Sequence, residues 1–288
     1  MLYSFADITD QPFLTDERVA YMPTVSVIIP TLNEAKNLPY VIPNIPDWVH
    51  EIIIVDGNSK DDTVAVAKSL SSKVRIVRQT GKGKGNALIA GFKAADGEII
   101  VMLDADGSTD PGEIQMYVAP LLAGWHFTKG SRYMQGGGTS DISAHRSMGN
   151  VGLLTLVRLL FGSKYTDLCY GYSAFWAWTL DYVMPDVDGF EIETLINIRA
   201  MRAKLKVAEV PSFEKERIHG ASNLNAIRDG IRILKVILRE RFMGRRVPTF
   251  GTAPVQMRDV EVDSDPTPVN SPFTVPVVMF QMTSNEQR

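Results

Sequence analysis

Four short runs of apolar and β-branched residues constrain the fold more than any other feature of the sequence. They cover residues 25–30, 51–56, 74–77 and 98–103. Each has the length and composition of a strand that is buried on both faces of a parallel sheet. Helical patterns separate them at residues 35–42, 62–70 and 84–95. This alternation predicts an α/β fold with a Rossmann-like, mostly parallel central sheet flanked by helices, and ligands bind such sheets beyond the carboxyl ends of the strands.

The composition of the 288-residue chain predicts one large domain with a further segment at each end. We place the domain at residues 23–243, after an acidic extension at 1–22. A proline-rich tail follows at 244–288, where we expect disorder or loose docking. The 30 basic and 33 acidic residues give a net charge of −3, which disfavours nucleic acid as a partner.

Cysteine usage and apolar patterning predict a cytoplasmic protein. The single cysteine, Cys169, excludes an internal disulfide, and the four histidines lack metal-ligand spacing. The N-terminus lacks the basic region and apolar core of a secretion signal. No apolar stretch reaches the roughly 18 to 20 residues that span a bilayer. We therefore expect contact with the cytoplasmic face of a membrane, where it occurs, to be made at the surface.

Two acidic motifs follow predicted strands. In Asp104-Ala105-Asp106, which comes after the fourth apolar run, the carboxylates can hold a divalent cation on a diphosphate. Asp56 ends the second run and can accept hydrogen bonds from a nucleotide base. The alternative for both is a solvated turn before a helix, which Gly107-Ser108 and Asn58 also fit. Because both acids stand at strand ends, we favour a binding site at this edge of the sheet.

Basic groups in the sequence are candidates for binding phosphate. The glycine-rich segment 81–86 precedes a predicted helix, so free backbone N–H groups and two ammonium groups can face a phosphate there. Three arginines lie in segments typical of loops or element ends: Arg132, Arg146 and Arg217. Guanidinium groups suit phosphate geometry. The alternatives are a flexible basic loop and arginines in surface salt bridges.

The second half of the chain is less regular, with helices predicted near residues 191–203 and 225–242. Within the latter, residues 226–239 place basic residues beside apolar ones at helical spacing, which indicates a helix packed on the core with a solvated face. The alternative is a helix lying on anionic lipid, because interfacial helices combine apolar area with a basic face. The aromatic run 170–178 is interpreted as core, with stacking on a sugar as the alternative.

Taken in order, these motifs make the sequence resemble the family 2 glycosyltransferases of GT-A fold over about residues 23–242. The resemblance in the first half rests on Val25-Ser26-Val27-Ile28-Ile29-Pro30-Thr31-Leu32-Asn33-Glu34, the strand ending in Asp56, residues 81–86 and Met102-Leu103-Asp104-Ala105-Asp106. The second half is similar to the dolichyl- or polyprenyl-phosphate mannose and glucose synthases. That similarity rests on Gly130-Ser131-Arg132-Tyr133, Gly137-Gly138, Arg146 with Asn150, Thr166-Asp167-Leu168 and Glu209-Val210-Pro211 leading to Arg217 and Gly220.

The resemblance implies a role for each matching residue. The nucleoside and sugar would be bound by Pro30, Asn33, Glu34, Asp56, Gly83, Lys84, Asp104 and Ala105. Mg²⁺ or Mn²⁺ would be held by Asp106 together with Asp104. The phosphates of donor and acceptor would be neutralised by Arg132, Arg146 and Arg217.

Two departures from the family pattern affect the expected phosphate and metal contacts. Ser108 stands where lipid-linked relatives often carry Gln, so we expect a loosely held cation. Asn223 follows Ser222 where relatives carry a basic residue, so one phosphate contact is expected to be missing.

The resemblance implies a metal-dependent, inverting hexosyltransferase whose donor is a nucleotide sugar of the GDP-mannose or UDP-glucose type. We expect a polyprenyl phosphate acceptor, which is an anion and needs no general base. The alternative is a hydroxyl acceptor on a saccharide or small molecule, which needs a base. Candidates for that base are Glu191, Glu193 and Asp167, which can also be helix-start acids.

Two further classes are disfavoured by the sequence. A sugar-nucleotide nucleotidyltransferase would carry an N-terminal glycine-rich loop, and Pro30-Thr31-Leu32-Asn33 is not one. A non-catalytic binding protein would have no need of both acids and the three arginines.

Overall fold

The computed structural model describes residues 22–221, 224–243 and 248–250. Seven strands form the central sheet, and two short strands pair separately. The central sheet contains β1 (Val25–Thr31), β2 (Glu51–Asp56), β3 (Val74–Arg78), β4 (Ile99–Met102), β5 (Phe127–Ser131), β7 (Ser173–Trp176) and β8 (Val207–Pro211). The small sheet contains β6 (Gly138–Thr139) and β9 (Phe213–Glu214).

The central sheet has the order β3-β2-β1-β4-β7-β5-β8. Its pairs are parallel except those of β7, which runs antiparallel to both neighbours. The register pairs Thr31 with Asp56 and Ile28 with Met102, so β1, β2 and β4 end at one edge. The prediction of an α/β fold with a mostly parallel central sheet is confirmed, and β1 to β4 are the four predicted strands.

Helices flank this sheet. They are α1 (Leu38–Val41), α2 (Thr63–Leu70), α3 (Lys84–Ala94), α4 (Ile114–Leu122), α5 (Ala144–Phe161), α6 (Leu180–Val183), α7 (Ile192–Arg202) and α8 (Ala226–Phe242). The predicted bounds of α2, α3, α7 and α8 agree with these to within one residue at each end.

Helix α1 is much shorter than the helix predicted at residues 35–42. The residues before it form a turn whose backbone bonds to the next helix: Glu34 N–H donates to Thr63 Oγ1 at 2.8 Å and Ala35 N–H to Asp61 at 3.2 Å. At its other end, α1 passes into a 3₁₀ turn at Ile42–Asn44 that contains Pro43. A helical pattern cannot reveal such long-range side-chain bonds, so it overstated the helix.

Alternation along the strands divides the core into two layers. Ile28, Ile53 and Ile100 point into one apolar cluster, whereas their strand neighbours point into the cluster on the other face of the sheet. Fully buried parallel strands are therefore apolar throughout, as the sequence runs indicated. A third cluster joins α5, α7 and α8.

The ends of the chain are described only in part. Of the predicted extension at 1–22, the described residue is Met22, and of the predicted tail at 244–288, the described residues are 248–250. There, Phe250 donates its N–H to Ala203 at 2.8 Å and its ring lies 4.4 Å from that of His126. This part of the predicted tail therefore packs on the domain, and the rest lies outside the described residues.

Candidate active site

A cavity of about 250 Å³ lies where β1 and β4 end at the carboxyl edge of the sheet. The Asp104-Ala105-Asp106 motif directly follows β4 and lines this cavity. Predicted site residues from other parts of the chain line it as well: Pro30, Glu34, Gly83, Lys84, Arg132, Arg146, Glu193 and Arg217. The fold therefore brings most of the predicted site residues together around one space.

Asp104 belongs to a row of three charges on the cavity wall. The ammonium of Lys84 lies 2.6 Å from Asp104 Oδ1 and 2.7 Å from Glu193 Oε1. Burial opposes the charge of Lys84, but the two carboxylates outweigh it and raise the pKa of the ammonium. Burial raises the pKa of Glu193, and the attraction of Lys84 offsets this only in part. Lys84 thus holds both carboxylates in place.

Asp106 is oriented by its own loop and by an arginine. Its Oδ1 accepts hydrogen bonds from the N–H and the hydroxyl of Ser108, at 3.0 and 2.7 Å. Its Oδ2 lies 2.8 Å from Arg217, which also reaches Glu34 Oε1 at 3.0 Å. Burial opposes the charge of Arg217, and Asp106 with Glu34 raises its pKa nonetheless. Ser108, from which we expected only a loosely held cation, positions the carboxylate of Asp106.

The two aspartates fit a hard divalent cation. No group of three or more His, Cys, Asp or Glu side chains is placed to hold a metal ion within the described ranges. Mg²⁺ and Mn²⁺ do not need such a group on a nucleotide, because they are usually held by one or two carboxylates and the substrate phosphates. Asp104 and Asp106 are 31% and 16% exposed, so their oxygens are accessible from the cavity. Their present partners are the cationic groups of Lys84 and Arg217.

Asp167, predicted as a candidate base, does not line the cavity. It is fully buried behind Arg132, which donates to both of its oxygens at 2.7 and 3.0 Å. Asn150 donates to it as well, at 3.1 Å. Burial raises the pKa of Asp167, but Lys129 and Arg132 outweigh this and hold it below its usual range. This environment does not favour Asp167 as a base, because a buried carboxylate with these bonds positions Arg132.

Three further predicted residues also lie outside the cavity lining. Glu191 is buried just before α7, and its Oε2 has no hydrogen-bond partner in the described structure. Asp56 is buried at the end of β2 and accepts the N–H of Ser59 at 3.1 Å. Asn33 has a φ of 58° and accepts the N–H of Lys60 at 2.7 Å, so its side chain shapes the loop after β1.

In the glycine-rich segment before α3, three of the backbone N–H groups that we predicted to be free already have partners. The N–H groups of Gly85 and Asn86 both donate to the carbonyl oxygen of Asp188, at 2.8 and 3.2 Å. Gly81 N–H donates to the side chain of Asn86 at 2.8 Å. The helix N-terminus is thus capped by a distant loop. Gly83 and Lys84 are the residues of this segment that line the cavity.

Gly83 is the residue that makes this cap possible. Its φ is +94°, and a Cβ there would lie 2.2 Å from the carbonyl oxygen of Asp188. We expect Gly83→Ala to lower the free energy of unfolding in urea by about 1–3 kcal/mol more than the control does, because the methyl group forces the two loops apart.

Gly124→Ala is the matched control, because Gly124 has a φ of +92° with open space around its Cβ position. It should cost about 1 kcal/mol, from backbone strain alone. Equal losses in the two variants would contradict the proposed contact.

Two charged residues of the cavity were missed by sequence reasoning. Glu214 lies 3.0 Å from Arg132 and also accepts the hydroxyl of Thr139 at 2.8 Å. Asp141 lies 3.4 Å from Arg146. Both stand in or beside very short elements without a periodic pattern, so the sequence carried no signal beyond their charge.

The aromatic run divides between core and cavity. Tyr172 stacks on Tyr117 at 4.0 Å and Phe175 on Phe127 at 5.2 Å, inside the core. Tyr170 lines the cavity, and the guanidinium of Arg132 lies 4.9 Å from the centre of its ring.

The phosphate contact that Asn223 was expected to lack falls outside the described residues.

No helix within the described part of the chain is long and apolar enough to cross a membrane.

The fold and the cavity define an α/β protein with a ligand site at the carboxyl edge of a mostly parallel sheet, and comparison with known proteins gives the family. The family model described as glycosyl transferase family 2 matches residues 26–178. The chain belongs to this family, and the prediction of a family 2 glycosyltransferase is confirmed.

Several relatives have named activities. A dolichol-phosphate mannosyltransferase of Pyrococcus furiosus is 33% identical over 208 residues, which are 69% of this chain and 59% of that protein. The chain thus spans less than two thirds of that relative. A polyprenol monophosphomannose synthase of Mycolicibacterium smegmatis is 32% identical over 213 residues, 69% of this chain and 80% of the relative.

A solved structure shares the fold. Glucosyl-3-phosphoglycerate synthase from Mycobacterium tuberculosis, in complex with Mn²⁺, uridine diphosphate and glucosyl-3-phosphoglycerate, matches with a TM-score of 0.62 and 25% identity. The match covers 76% of this chain and 80% of that chain.

Proposed function

We propose that the chain transfers a hexose from a nucleotide sugar of the GDP-mannose or UDP-glucose type to a polyprenyl phosphate. The observation that carries this proposal is one cavity that joins Asp104 and Asp106 to three arginines. Carboxylates suit a cation on a diphosphate, whereas guanidinium groups suit phosphate oxygens. The names of the two mannosyl-transferring relatives support a lipid-phosphate acceptor.

Of the three arginines, Arg146 is best suited to receive the acceptor phosphate. Arg132 and Arg217 each lie within 3.0 Å of two different carboxylates. In contrast, Arg146 lies 3.4 Å from Asp141. The side chains of Arg146 and Asp141 are also more exposed than those of the ion pairs that Arg132 and Arg217 form. An incoming phosphate can replace this looser partner at less cost.

The proposed reaction is an inverting displacement. An oxygen of the acceptor phosphate attacks C1 of the sugar, and the bond from C1 to the donor diphosphate breaks as the new C–O bond forms. The acceptor is already an anion, so no base is required. Mg²⁺ or Mn²⁺ held by Asp106 and Asp104 would neutralise charge on the leaving diphosphate. Lys84 holds Asp104, and Ser108 holds Asp106, in position for that contact.

A hydroxyl acceptor is the second candidate, and one observation favours it. Glu193 is the predicted base that lines the cavity, and its pKa is raised above the usual value by burial. A carboxylate with a raised pKa is better suited to remove a proton near neutral pH. The name of the solved structural neighbour, a glucosyl-3-phosphoglycerate synthase, also fits an acceptor that is not a lipid.

A radiolabel experiment separates the two acceptors. The chain, Mn²⁺ and radiolabelled GDP-mannose or UDP-glucose are incubated with a short-chain polyprenyl phosphate, and we expect label in the organic phase. Arg146→Met should reduce the rate, mainly by raising KM for the acceptor, because the variant loses a phosphate contact. Label that appears only on water-soluble acceptors would contradict the lipid-phosphate proposal.

A thermal-shift titration with GDP, UDP and dTDP in the presence of Mn²⁺ identifies the nucleotide of the donor. A nucleotide that binds only the folded chain raises its unfolding temperature.

The predicted cytoplasmic location stays a prediction.

A further inference from the structure

Helix α8 has two apolar faces. One is buried: Ile233 and Ile237 pack into the cluster shared with α5 and α7, and Val236 is buried on the same side. The other is a row of exposed apolar side chains at helical spacing, on the side away from the core: Ile227, Ile231, Leu234, Leu238 and Phe242. Their exposed fractions run from 37% to 78%. Single exposed apolar residues are ordinary, but a contiguous row along a helix indicates a contact surface.

The charges of α8 are sorted between the same two faces. Both acidic residues point inward: Asp229 is fully buried at the start of the helix, and Glu240 is held by Arg199 and Arg202 of α7. The basic residues of the helix are exposed or half-buried: Arg228, Arg232, Lys235, Arg239 and Arg241. The outer surface of α8 therefore presents apolar and cationic groups together.

Helical spacing places most of these basic residues in a row along one side of the exposed apolar row: Arg228, Arg232, Lys235 and Arg239. Arg241 lies on the other side of the apolar row. Part of this charge is neutralised, since Arg228 and Arg232 lie near Asp229, and Arg239 lies 2.9 Å from Asp186. The seven charged residues of α8 still sum to +3, from five basic and two acidic side chains. This pattern matches helices that lie on anionic bilayers.

We infer that the outer face of α8, defined by the apolar row and its flanking basic residues, docks on an anionic lipid surface. The reason for such docking rests on the proposed function, because a polyprenyl phosphate acceptor is embedded in a bilayer. The placement suits that purpose: Leu224, two residues before α8, lines the cavity. A second copy of the chain is the less suitable occupant, because the outer face of α8 carries no acidic side chain to pair with its basic rows.

The test measures co-sedimentation of the full chain with phosphatidylcholine vesicles, with and without phosphatidylglycerol. We expect binding only to the vesicles that contain phosphatidylglycerol, and we expect added salt to weaken it. Ile231→Ser with Leu238→Ser removes apolar area, and Lys235→Glu with Arg241→Glu reverses charge. Each pair should weaken binding by about tenfold or more.

The matched control is Met116→Ser with Leu122→Ser on α4. These residues are 40% and 47% exposed, close to the 50% and 40% of Ile231 and Leu238. The control should bind vesicles as the unaltered chain does. Circular dichroism and urea unfolding of every variant verify the fold.

Transfer to a short-chain polyprenyl phosphate in detergent provides the second measurement. The α8 variants should keep this activity and lose transfer to acceptor embedded in vesicles. Vesicle binding without any transfer would contradict the proposed function but not the docking surface. The docking surface is overturned if the chain ignores phosphatidylglycerol, if the α8 variants bind as tightly as the control, or if the Ser pair converts a dimer of the free chain to a monomer.

Discussion

Asp106→Asn is expected to reduce kcat for sugar transfer by about 10²- to 10³-fold, the usual cost of losing one group that stabilises charge in the transition state. The substitution keeps the size of the side chain but removes the anion. Its amide can also point an N–H₂ group at Arg217, which now lies 2.8 Å from Asp106 Oδ2. Steady-state transfer assays across a range of Mn²⁺ concentrations measure the effect.

Asp62→Asn is a suitable control, because Asp62 is an exposed aspartate before α2 whose side chain makes no capping bond. It should transfer sugar at the unaltered rate. A second measurement follows Mn²⁺ binding by electron paramagnetic resonance in the presence of the preferred nucleoside diphosphate. If Asp106→Asn turns over sugar and binds Mn²⁺ as the unaltered chain does, the proposed metal role is wrong.

Asp167→Asn is expected to lower the free energy of unfolding by about 3–5 kcal/mol, because it breaks a buried ion pair from one side. Arg132 would keep Glu214 as a partner at 3.0 Å but lose one of its two bonds to residue 167, because an amide NH₂ group cannot accept. Urea unfolding measures the loss. The stability from this carboxylate is present above its pKa in the unfolded chain and disappears as pH falls through its lower pKa in the folded chain. The variant should therefore lose less stability than the unaltered chain on acidification.

The double variant Arg132→Met with Asp167→Leu is the control for this prediction. Removing both charges leaves neither one buried without a partner, so it should be less destabilised than Asp167→Asn. A general base at this position would give the opposite pattern, with stability unchanged and kcat lost. That result would contradict the positioning role.

The fold was predictable from sequence where local pattern and long-range packing agree. Strands β1 to β4 are buried on both faces, so their residues are apolar throughout and the runs stand out. Strand β5 did not stand out, because Lys129 and Thr128 occupy its centre and are buried there. The buried lysine is tolerated beside Asp167 and Glu209, an arrangement that only the folded chain reveals.

The site was predictable as a set of residue types but not as a set of contacts. The motif placed Asp104 and Asp106 correctly at one cavity, since strand ends converge in a parallel sheet, and the family resemblance placed Arg217 there as well. The ion pair of Asp167 with Arg132 was not predicted, because a motif does not show which side chains will pair. The cap on α3 was missed for the same reason, as Asp188 lies about a hundred residues away in the chain.

The position of β7 between β4 and β5 has a consequence for the order of assembly during synthesis. Strands β1 to β4 pair with one another and are complete once Met102 has left the ribosome. Strand β5 finds its sheet neighbours only when β7 and β8 have been made, more than 40 residues later. During synthesis, the four strands β1 to β4 can therefore be paired while the part of the sheet near Arg132 and Arg146 is still incomplete. Early release of a truncated chain would leave an open strand edge on β4, which favours aggregation.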